Sequence, residues 1–334
     1  MIARIDPHDA HAFSAWYEAK REGWLAGREE GAVISHDLLR GKVTADRDDA
    51  AFQLYAAWEG ERITGVLMVM LPLRENRQVA EVTIAVVPEH RGRGLGTRLL
   101  AEADRVLAEE GRTVATTEVP VPTGRTRQAW PGSRFALRHG FEVGLEEDAL
   151  KLALPVDPEL LTSLRPDTGS YRLREWTGAC PDGMVEAYAH MRTVIQQDMP
   201  TGDLEVAPTI WDVERVRALE RRMADAGTDA LVTAAESAEG ELVGFTSLLL
   251  PAGQDIVHQE DTLVVDAHRG HRLGTALKVR NLERLAGAFP DRSVVRTWNA
   301  VDNTYMRAVN LALGFEVDER YLELQRPGPR TPAS

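Results

Sequence analysis

The chain has 334 residues, 43 % of them apolar, and a formal net charge of −13 at neutral pH. This length suits two domains of about 150 residues each. The negative charge disfavours a nucleic-acid partner, because phosphate contacts need clustered Lys and Arg, and the lack of an apolar run of about 18 residues predicts no membrane span.

The first ten residues, MIARIDPHDA, lack the charged-then-apolar pattern of a secretory leader. Cys180 is the single cysteine, so no internal disulfide is expected. Cysteine pairs and spaced histidines of the kind that bind metals are also missing from the pattern, so we predict no metal site. Together these features predict a soluble, cytoplasmic protein.

The first half begins with helical material and continues through strands and helices marked by apolar runs and by Gly or Pro at their ends. In chain order these are helical material over 8–40, strands over 65–72 and 81–87, the Gly-rich stretch HRGRGLGTRL at 90–99, a helix over 97–111, a strand over 113–119, and a short helix leading through Gly-Phe into a last strand over 134–144.

The second half repeats this order, which indicates an internal duplication. Its elements are helical material over 182–196 and 209–226, strands over 244–251 and 260–266, the stretch HRGHRLGTAL at 268–277, a helix over 275–287, a strand over 293–299, and a closing helix, Gly-Phe and strand over 309–319. The two Gly-rich stretches agree in seven of ten letters and lie 178 positions apart.

We therefore predict two tandem domains, 1–155 and 171–326. The segment 156–170 is rich in Pro and turn residues and is expected to be a linker. The residues 327–334 are expected to form a flexible tail.

The Gly-rich loops have the properties of an anion site. A loop that leads from a strand into a helix presents free backbone N–H groups beside the positive end of the helix dipole. Glycines at 92, 94 and 96 let the backbone approach a diphosphate closely, and Arg91 and Arg93 add positive charge. The second loop has Arg272 where the first has Gly94, and a positive φ there would cost about 1 kcal/mol.

The stretch IAVVPEHRGRGLG at 84–96 resembles the acyl-CoA loop of the GCN5-related N-acetyltransferase (GNAT) superfamily. The later Asn303, Met306 and Leu313-Gly314-Phe315 resemble that family's closing helix and strand. Because both halves match in element order, the resemblance implies an α/β (α+β) fold of two tandem GNAT-type domains. Each would have a mixed, mostly antiparallel sheet flanked by helices.

The resemblance implies acetyl-CoA, or another acyl-CoA, as the cofactor. The strand before each loop would hold the pantetheine arm and the thioester carbonyl, and the loop amides would hold the pyrophosphate. The residues implied are Ala85, Val86, Val87, Arg91, Gly92, Arg93, Gly94, Leu95, Gly96 and Thr97 in the first half, and Leu263, Val264, Val265, Arg269, Gly270, His271, Arg272, Leu273, Gly274 and Thr275 in the second, with Asn299, Asn303 and Asn310 beside them.

The acceptor amine must lose a proton, so a carboxylate or histidine on the same strand is expected. Glu81 is the candidate in the first half, and His258, Glu260 and Asp261 are alternatives in the second. Regular alternation would place His258 and Glu260 on one face and Asp261 on the other, unless a bulge intervenes.

The family often has a tyrosine four residues before the Gly of Gly-Phe, which reprotonates the CoA thiolate. Ala136 and Asn310 occupy those positions here, and Tyr305 is a possible substitute.

The predicted function is acyl-CoA-dependent N-acyl transfer, most simply acetyl transfer to the primary amine of a small molecule by direct attack. We expect the chemistry in the C-terminal half, because the first half lacks counterparts of Asn299 and Asn303. Two active sites are the alternative within this class. A non-catalytic acyl-CoA-binding or interaction protein with degenerate sites is the alternative from another class. No nucleic-acid or membrane partner is expected, and the chain would be a monomer or a homodimer.

Overall fold

The computed structural model describes residues 1–28, 31 and 33–329. The elements are β1 (Ile2–Ile5), α1 (Ala10–Leu25), α2 (His36–Thr44), β2 (Ala50–Glu59), β3 (Arg62–Pro72), β4 (Val79–Val86), α3 (Leu95–Glu109), β5 (Val114–Pro122), α4 (Pro131–Arg138), β6 (Glu142–Ala153), α5 (Pro158–Leu164), β7 (Arg172–Thr177), α6 (Val185–Asp198), α7 (Val213–Asp225), β8 (Thr228–Glu236), β9 (Leu242–Pro251), β10 (Ile256–Val264), α8 (Leu273–Ala288), β11 (Val294–Ala300), α9 (Thr304–Ala312) and β12 (Glu316–Pro327). Within these residues, none of the helices combines the length and the apolar character needed to cross a membrane.

The predicted fold class is confirmed: helices flank mixed sheets that are mostly antiparallel. Four strands were not predicted, namely β1, β2, β7 and β8. The strand β7 shows why, since its sequence RLREWT buries Trp176 alone and leaves charged side chains exposed. Such an edge strand lacks the apolar run that marks a central strand.

The predicted linker contains a packed helix instead of continuous loop. Asp157 accepts a hydrogen bond from the backbone N–H of Glu159 and caps α5, whose first residue is Pro158. Leu161 is 5 % exposed and packs in an apolar cluster with Leu282 and Leu313. The last five residues of the predicted tail, 330–334, lie outside the described residues.

The described chain divides into two units with boundaries unlike the predicted ones. The N-terminal unit comprises Met1–Leu145, Thr201–Ala207 and the segment from Leu322 onward, and the C-terminal unit comprises Glu146–Pro200 and Pro208–Tyr321. The sheet of the N-terminal unit has the strand order β1-β2-β3-β4-β5-β12, and that of the C-terminal unit has the order β6-β11-β10-β9-β8-β7.

The second part of the last strand of each repeat thus belongs to the other repeat's unit, since β6 passes into the C-terminal unit after Leu145 and β12 passes into the N-terminal unit after Tyr321. Strand β6 of the first repeat pairs antiparallel with β11, from Ala153 opposite Val294 to Glu147 opposite Ala300. Leu324, near the end of the chain, is fully buried in the apolar cluster that contains Leu107 of α3. Hydrophobic pattern shows that a strand exists but does not choose its partner, so this exchange was not foreseen.

In the N-terminal unit, β4 and β5 are parallel and then separate. Their pairing starts with Val79 opposite Val114 and ends with Glu81 opposite Thr116. Helix α1 crosses β4 at Gly23, where an added Cβ would lie 3.0 Å from the Cβ of Ala85. The diverging strands leave a cleft between them.

The C-terminal unit repeats this divergence. Strands β10 and β11 are parallel from Ile256 opposite Val294 to His258 opposite Arg296. Strand β10 also has a register shift against β9 between Gln259 and Thr262. The pairing of β4 with β3 runs without such a shift, so a β-bulge distinguishes the second cleft from the first.

Candidate functional site

Both Gly-rich loops enter their helix through a residue in the left-handed region. Gly94 caps α3 with φ of 77°, and Arg272 caps α8 with φ of 56°. An added Cβ at Gly92 or Gly94 would meet no atom within 4 Å, so the space in front of the first loop is open. The first N–H groups of each helix therefore face outward as free donors for an anion.

The first arginine of each loop anchors that loop through side-chain hydrogen bonds to backbone carbonyl groups. Arg91 donates from Nε to the carbonyl of Val86 at 3.0 Å and from Nη2 to the carbonyl of Gly23 at 2.7 Å. Arg269 donates from Nε to the carbonyl of Val264 at 3.0 Å and pairs with Asp198, also at 3.0 Å. Each arginine thus holds its loop against the preceding strand, and its positive charge remains beside the loop.

A cavity of about 520 Å³ lies in the N-terminal unit, in the cleft between β4 and β5. It is lined by both strands, the loop, and side chains of α1, α3 and α4. The predicted residues that line it are Ala85, Val86, Arg91, Gly92, Gly94, Leu95, Gly96 and Thr97. Arg93 is exposed on the loop, and Val87 is fully buried; neither lines the cavity.

The lining of this cavity is basic although the chain is acidic. Arg28, Arg91, Arg134 and Arg138 contribute four guanidinium groups, and Glu118 is the carboxylate among the described lining residues. A local excess of positive charge next to free helix N–H groups suits a ligand with several phosphates.

Two imidazoles also border the cavity. His139 lies 3.2 Å from the hydroxyl of Thr97 and has its pKa lowered, first by burial and then by the charges of Arg326 and Arg138. His90 pairs with Glu59 at 2.9 Å.

The predicted base Glu81 is not part of this lining. It is exposed on β4 at the last residue pair before the strands separate. Glu118, two residues beyond the divergence on β5, lines the cavity instead.

Burial lowers the pKa of Lys20 to about 8, and the nearby charge of Glu118 opposes this shift. The Lys20 Nζ atom lies 5.1 Å from the centre of the Trp24 ring, which also borders the cavity.

In the C-terminal cleft, the bulge of β10 contains Glu260 and Asp261. Burial raises the pKa of Glu260 to about 7, with a further increase from the charge of Asp261. The residue is nevertheless exposed to solvent at its edge, although neighbouring groups surround most of the carboxyl group. Arg192 lies 3.7 Å from Asp261 and stacks 3.8 Å over the Trp211 ring, although burial still raises the pKa of Asp261.

The bulge also decides which residues correspond between the repeats. Glu81 lies opposite Met70 of β3, and His258 lies opposite Leu249 at the same place in β9. His258 is therefore the register counterpart of Glu81, and its ring stacks on Trp298 with centroids 6.1 Å apart. Burial and the charge of Arg296 lower the pKa of His258.

The three predicted asparagines have different surroundings. Asn310 is fully buried and donates from Nδ2 to Asn299 Oδ1 at 2.5 Å. Asn303 caps α9 by accepting from the N–H of Met306, so its side chain is used in the helix cap. Tyr305 is 62 % exposed on the first turn of α9, and its role as a proton donor stays a prediction.

The remaining predicted residues of the second loop keep the arrangement of the first. Gly270 has φ of 87°, and His271 lies beside the ring of Tyr171 at 5.5 Å. The other predicted residues belong to the end of β10, to the residue that follows it and to the first turn of α8, and they are Leu263, Val264, Val265, Leu273, Gly274 and Thr275.

Several cavity residues were missed because no sequence motif marks them. They come from α1 and its C-terminal end, from β5, and from the α4 region, and they are Trp24, Arg28, Glu118, Trp130, Arg134, Phe135, Arg138 and His139. The spacing of Arg134 and Arg138 on one helix face was the available signal. It could not be assigned to a cleft until the placement of α4 was known.

The model of the acetyltransferase (GNAT) family matches residues 6–122. Across the whole chain, the fold is similar to that of a tandem GNAT protein from the clavulanic acid biosynthesis pathway, solved without AcCoA, with 25 % identity and a TM-score of 0.83; the match covers 100 % of this chain and 99 % of the other. A GCN5-related N-acetyltransferase from Sphaerobacter thermophilus matches over 99 % of this chain and 96 % of its own, with 17 % identity and a TM-score of 0.66. A comparison with curated proteins gave no significant match. The first repeat thus matches the acetyltransferase (GNAT) family, and the chain as a whole is a tandem GNAT-fold protein.

Proposed function

We propose that this chain is an acyl-CoA-dependent N-acyltransferase that moves an acetyl group from acetyl-CoA to the primary amine of a small molecule. We further propose that the cavity of the N-terminal unit holds the acyl-CoA. A soluble, cytoplasmic protein acting as a monomer or a homodimer is consistent with this activity.

The observation that carries the proposal is the cavity itself. The cavity of about 520 Å³ lies between diverging strands, and its lining includes four arginines and the loop that ends at Gly94, the N-cap of α3. A diphosphate at the loop would accept hydrogen bonds from the helix N–H groups. The apolar pantetheine arm would follow β4 past Ala85 and Val86, whose strand is unpaired on the β5 side at that point.

The acceptor amine needs a proton acceptor in either cleft. Glu118 is suited to this in the N-terminal unit because its side chain borders the cavity. In the C-terminal unit, Glu260 is suited because a base whose pKa is about 7 is efficient at neutral pH. The prediction that the C-terminal half performs the chemistry draws its support from this carboxyl group and from its neighbour Asp261.

The binding of acetyl-CoA can be tested by calorimetry on wild type and on a matched pair of variants. Gly94→Glu and Gly94→Arg impose the same backbone strain, because both place a long side chain at a positive φ. They differ in the charge beside the diphosphate. We expect Gly94→Glu to weaken binding by about tenfold or more relative to Gly94→Arg, a difference of about 1.4 kcal/mol.

The variant Gly274→Glu in the second loop, at the position equivalent to Gly96, is the control for location. If it leaves the affinity unchanged, the high-affinity site is in the N-terminal unit. Wild-type protein that fails to bind acetyl-CoA would contradict the proposal.

A non-catalytic acyl-CoA-binding protein remains the second candidate. It is favoured by Ala136 and Asn310, which provide no phenol at the position where the family often has tyrosine. Such a protein would bind acetyl-CoA at the same loop and would release no free CoA thiol with any member of a panel of primary amines.

A further inference from the structure

Helix α8 has a lysine at the position where α3 has a leucine that lines the N-terminal cavity. Helix α3 begins at Leu95 and α8 begins at Leu273, so Leu100 and Lys278 are each the sixth residue of the helix that follows the loop. Leu100 lines the N-terminal cavity. The same register places Lys278 along the equivalent cleft of the C-terminal unit.

Lys278 is buried without a counter-charge. Its residue exposure is 2 %. Among the described residues, none accepts a hydrogen bond from its ammonium group or forms an ion pair with it. Burial lowers the pKa of Lys278 to about 7, so a large fraction of this amine is neutral, and hence nucleophilic, at physiological pH.

Two further positions that line the N-terminal cavity are also apolar in the first repeat and polar in the second. Counting from the strand pairs at Val114 and Val294, Val119 of β5 corresponds to Asn299 of β11. Counting back from Gly140 and Gly314, Ala136 of α4 corresponds to Asn310 of α9.

Asn310 is fully buried, and its Oδ1 has no hydrogen-bond donor among the described residues. The second cleft thus has three polar side chains where the first cavity has apolar ones, and one of them is an acceptor without a partner.

We propose that Lys278 is an acylation site of the chain itself, with an acyl-CoA bound at the second Gly-rich loop as the donor. The inference rests on the proposed use of acyl-CoA, but it concerns the other unit.

In the reaction, the neutral Nζ of Lys278 attacks the thioester carbonyl carbon. A C–N bond forms and the C–S bond breaks. The CoA sulfur leaves as a thiolate and takes up the proton lost by the attacking nitrogen. The products are an Nε-acyl lysine and free CoA thiol, so no further reactant is required.

The product also suits its surroundings better than the starting amine does. A buried, unpaired ammonium is costly, whereas an amide is neutral and needs ordinary hydrogen bonds. The new amide N–H is a donor in a cleft where Asn310 Oδ1 lacks one. Acylation would therefore persist once formed and would fill the second cleft.

The test is mass spectrometry of the full chain after incubation with acetyl-CoA carrying isotopically labelled acetyl. The sequence has four lysines, at 20, 42, 151 and 278, so peptide mapping assigns the label without ambiguity. We expect one labelled acetyl group per chain at position 278. Lys278→Arg should lose this label while the other lysines remain as in wild type.

A pair of loop variants identifies the donor site. Gly274→Glu and Gly274→Arg add side chains where a Cβ meets no atom within 4 Å, and they differ mainly in charge. We expect labelling of Lys278 to be slowed about tenfold or more by Gly274→Glu relative to Gly274→Arg, and to be insensitive to Gly94→Glu.

Two results would overturn the inference. One is an unmodified Lys278 in protein that binds acetyl-CoA by calorimetry, which leaves the proposed function intact. The other is a labelling rate at Lys278 that is equal in both Gly274 variants, because this would mean unassisted chemical acylation. Loss of acetyl-CoA binding altogether would refute the proposed function as well.

Discussion

Gly94 and Arg272 hold the same left-handed backbone conformation at the same place, the residue before the helix that follows each Gly-rich loop. Their φ values are 77° and 56°. The sequence left open whether Arg at this position was strained. The structure places it where glycine is favoured, so the second loop keeps its conformation at an energetic cost.

The variant Arg272→Gly should stabilise the protein by about 1 kcal/mol, because it removes the Cβ penalty of a left-handed residue. Gly94→Ala should destabilise it by a similar amount, since its Cβ meets no atom within 4 Å and the conformational penalty acts alone. Urea unfolding monitored by circular dichroism measures both changes. A destabilising Arg272→Gly would show that the arginine side chain contributes contacts that outweigh the strain.

The exchange of the last strands predicts where two core mutations act. Leu324 lies near the C-terminus of the chain but belongs to the N-terminal core, and Leu152 belongs to the first repeat but packs in the C-terminal core. Each Leu→Ala change should lower the free energy of unfolding by about 2–5 kcal/mol.

Hydrogen exchange should locate the two effects. Leu324→Ala should speed the exchange of β5 amides, and Leu152→Ala that of β11 amides. If each variant instead sped hydrogen exchange in the strands of its own sequence repeat, the assignment of the last strands to the other unit would be wrong.

Glu260 should make the stability of the protein fall as the pH rises. Its pKa is about 7 in the folded chain and 4.5 as a free side chain, so the folded state binds more protons between these values. Stability contributed by the protonated carboxyl is therefore lost as the pH passes through that window.

Glu260→Gln should flatten the decline, as measured by urea midpoints between about pH 5 and pH 7. An unchanged slope in the variant would mean that this carboxyl group titrates normally.

Lys278 should make the stability of the protein rise with pH above neutrality, opposite to the effect of Glu260. Its pKa is about 7 when folded and 10.5 when free, so the unfolded chain binds more protons in this interval and stability rises with pH. Lys278→Met should remove the rise and should stabilise the protein at neutral pH, because no buried amine has to lose its proton or its hydration. Thermal melts of wild type and Lys278→Met at a series of pH values test this. The same change of Tm with pH in both proteins would contradict it.

The repeat, the loops and the fold class were predictable because they depend on local pattern. Apolar runs of strand length, helical spacing of leucines and the pair HRGRGLGTRL and HRGHRLGTAL identify the elements without knowledge of their partners. The anion-binding character of the loops follows from Gly and a helix start, which are both local features.

The residues that line the clefts were harder to predict from the sequence. Glu81 was selected because it lies on the right strand, yet Glu118 borders the cavity. Tyr305 was selected for its chemistry, and only the structure shows that 62 % of its surface is exposed. The bulge in β10 shifts the correspondence between the repeats by one residue and makes His258, rather than Gln259, the counterpart of Glu81.

The sequence by itself determined which elements exist, that they occur twice, and that each copy carries a loop suited to phosphate. Only the tertiary structure decided which strand completes each sheet, which cleft is an open cavity lined by arginines, and that Lys278 is buried with no partner among the described residues. The physical reason is that secondary structure and loop chemistry arise from neighbours in sequence. Strand partners, desolvation and pKa depend on residues far away in the sequence, as the pairing of Ala153 with Val294 illustrates.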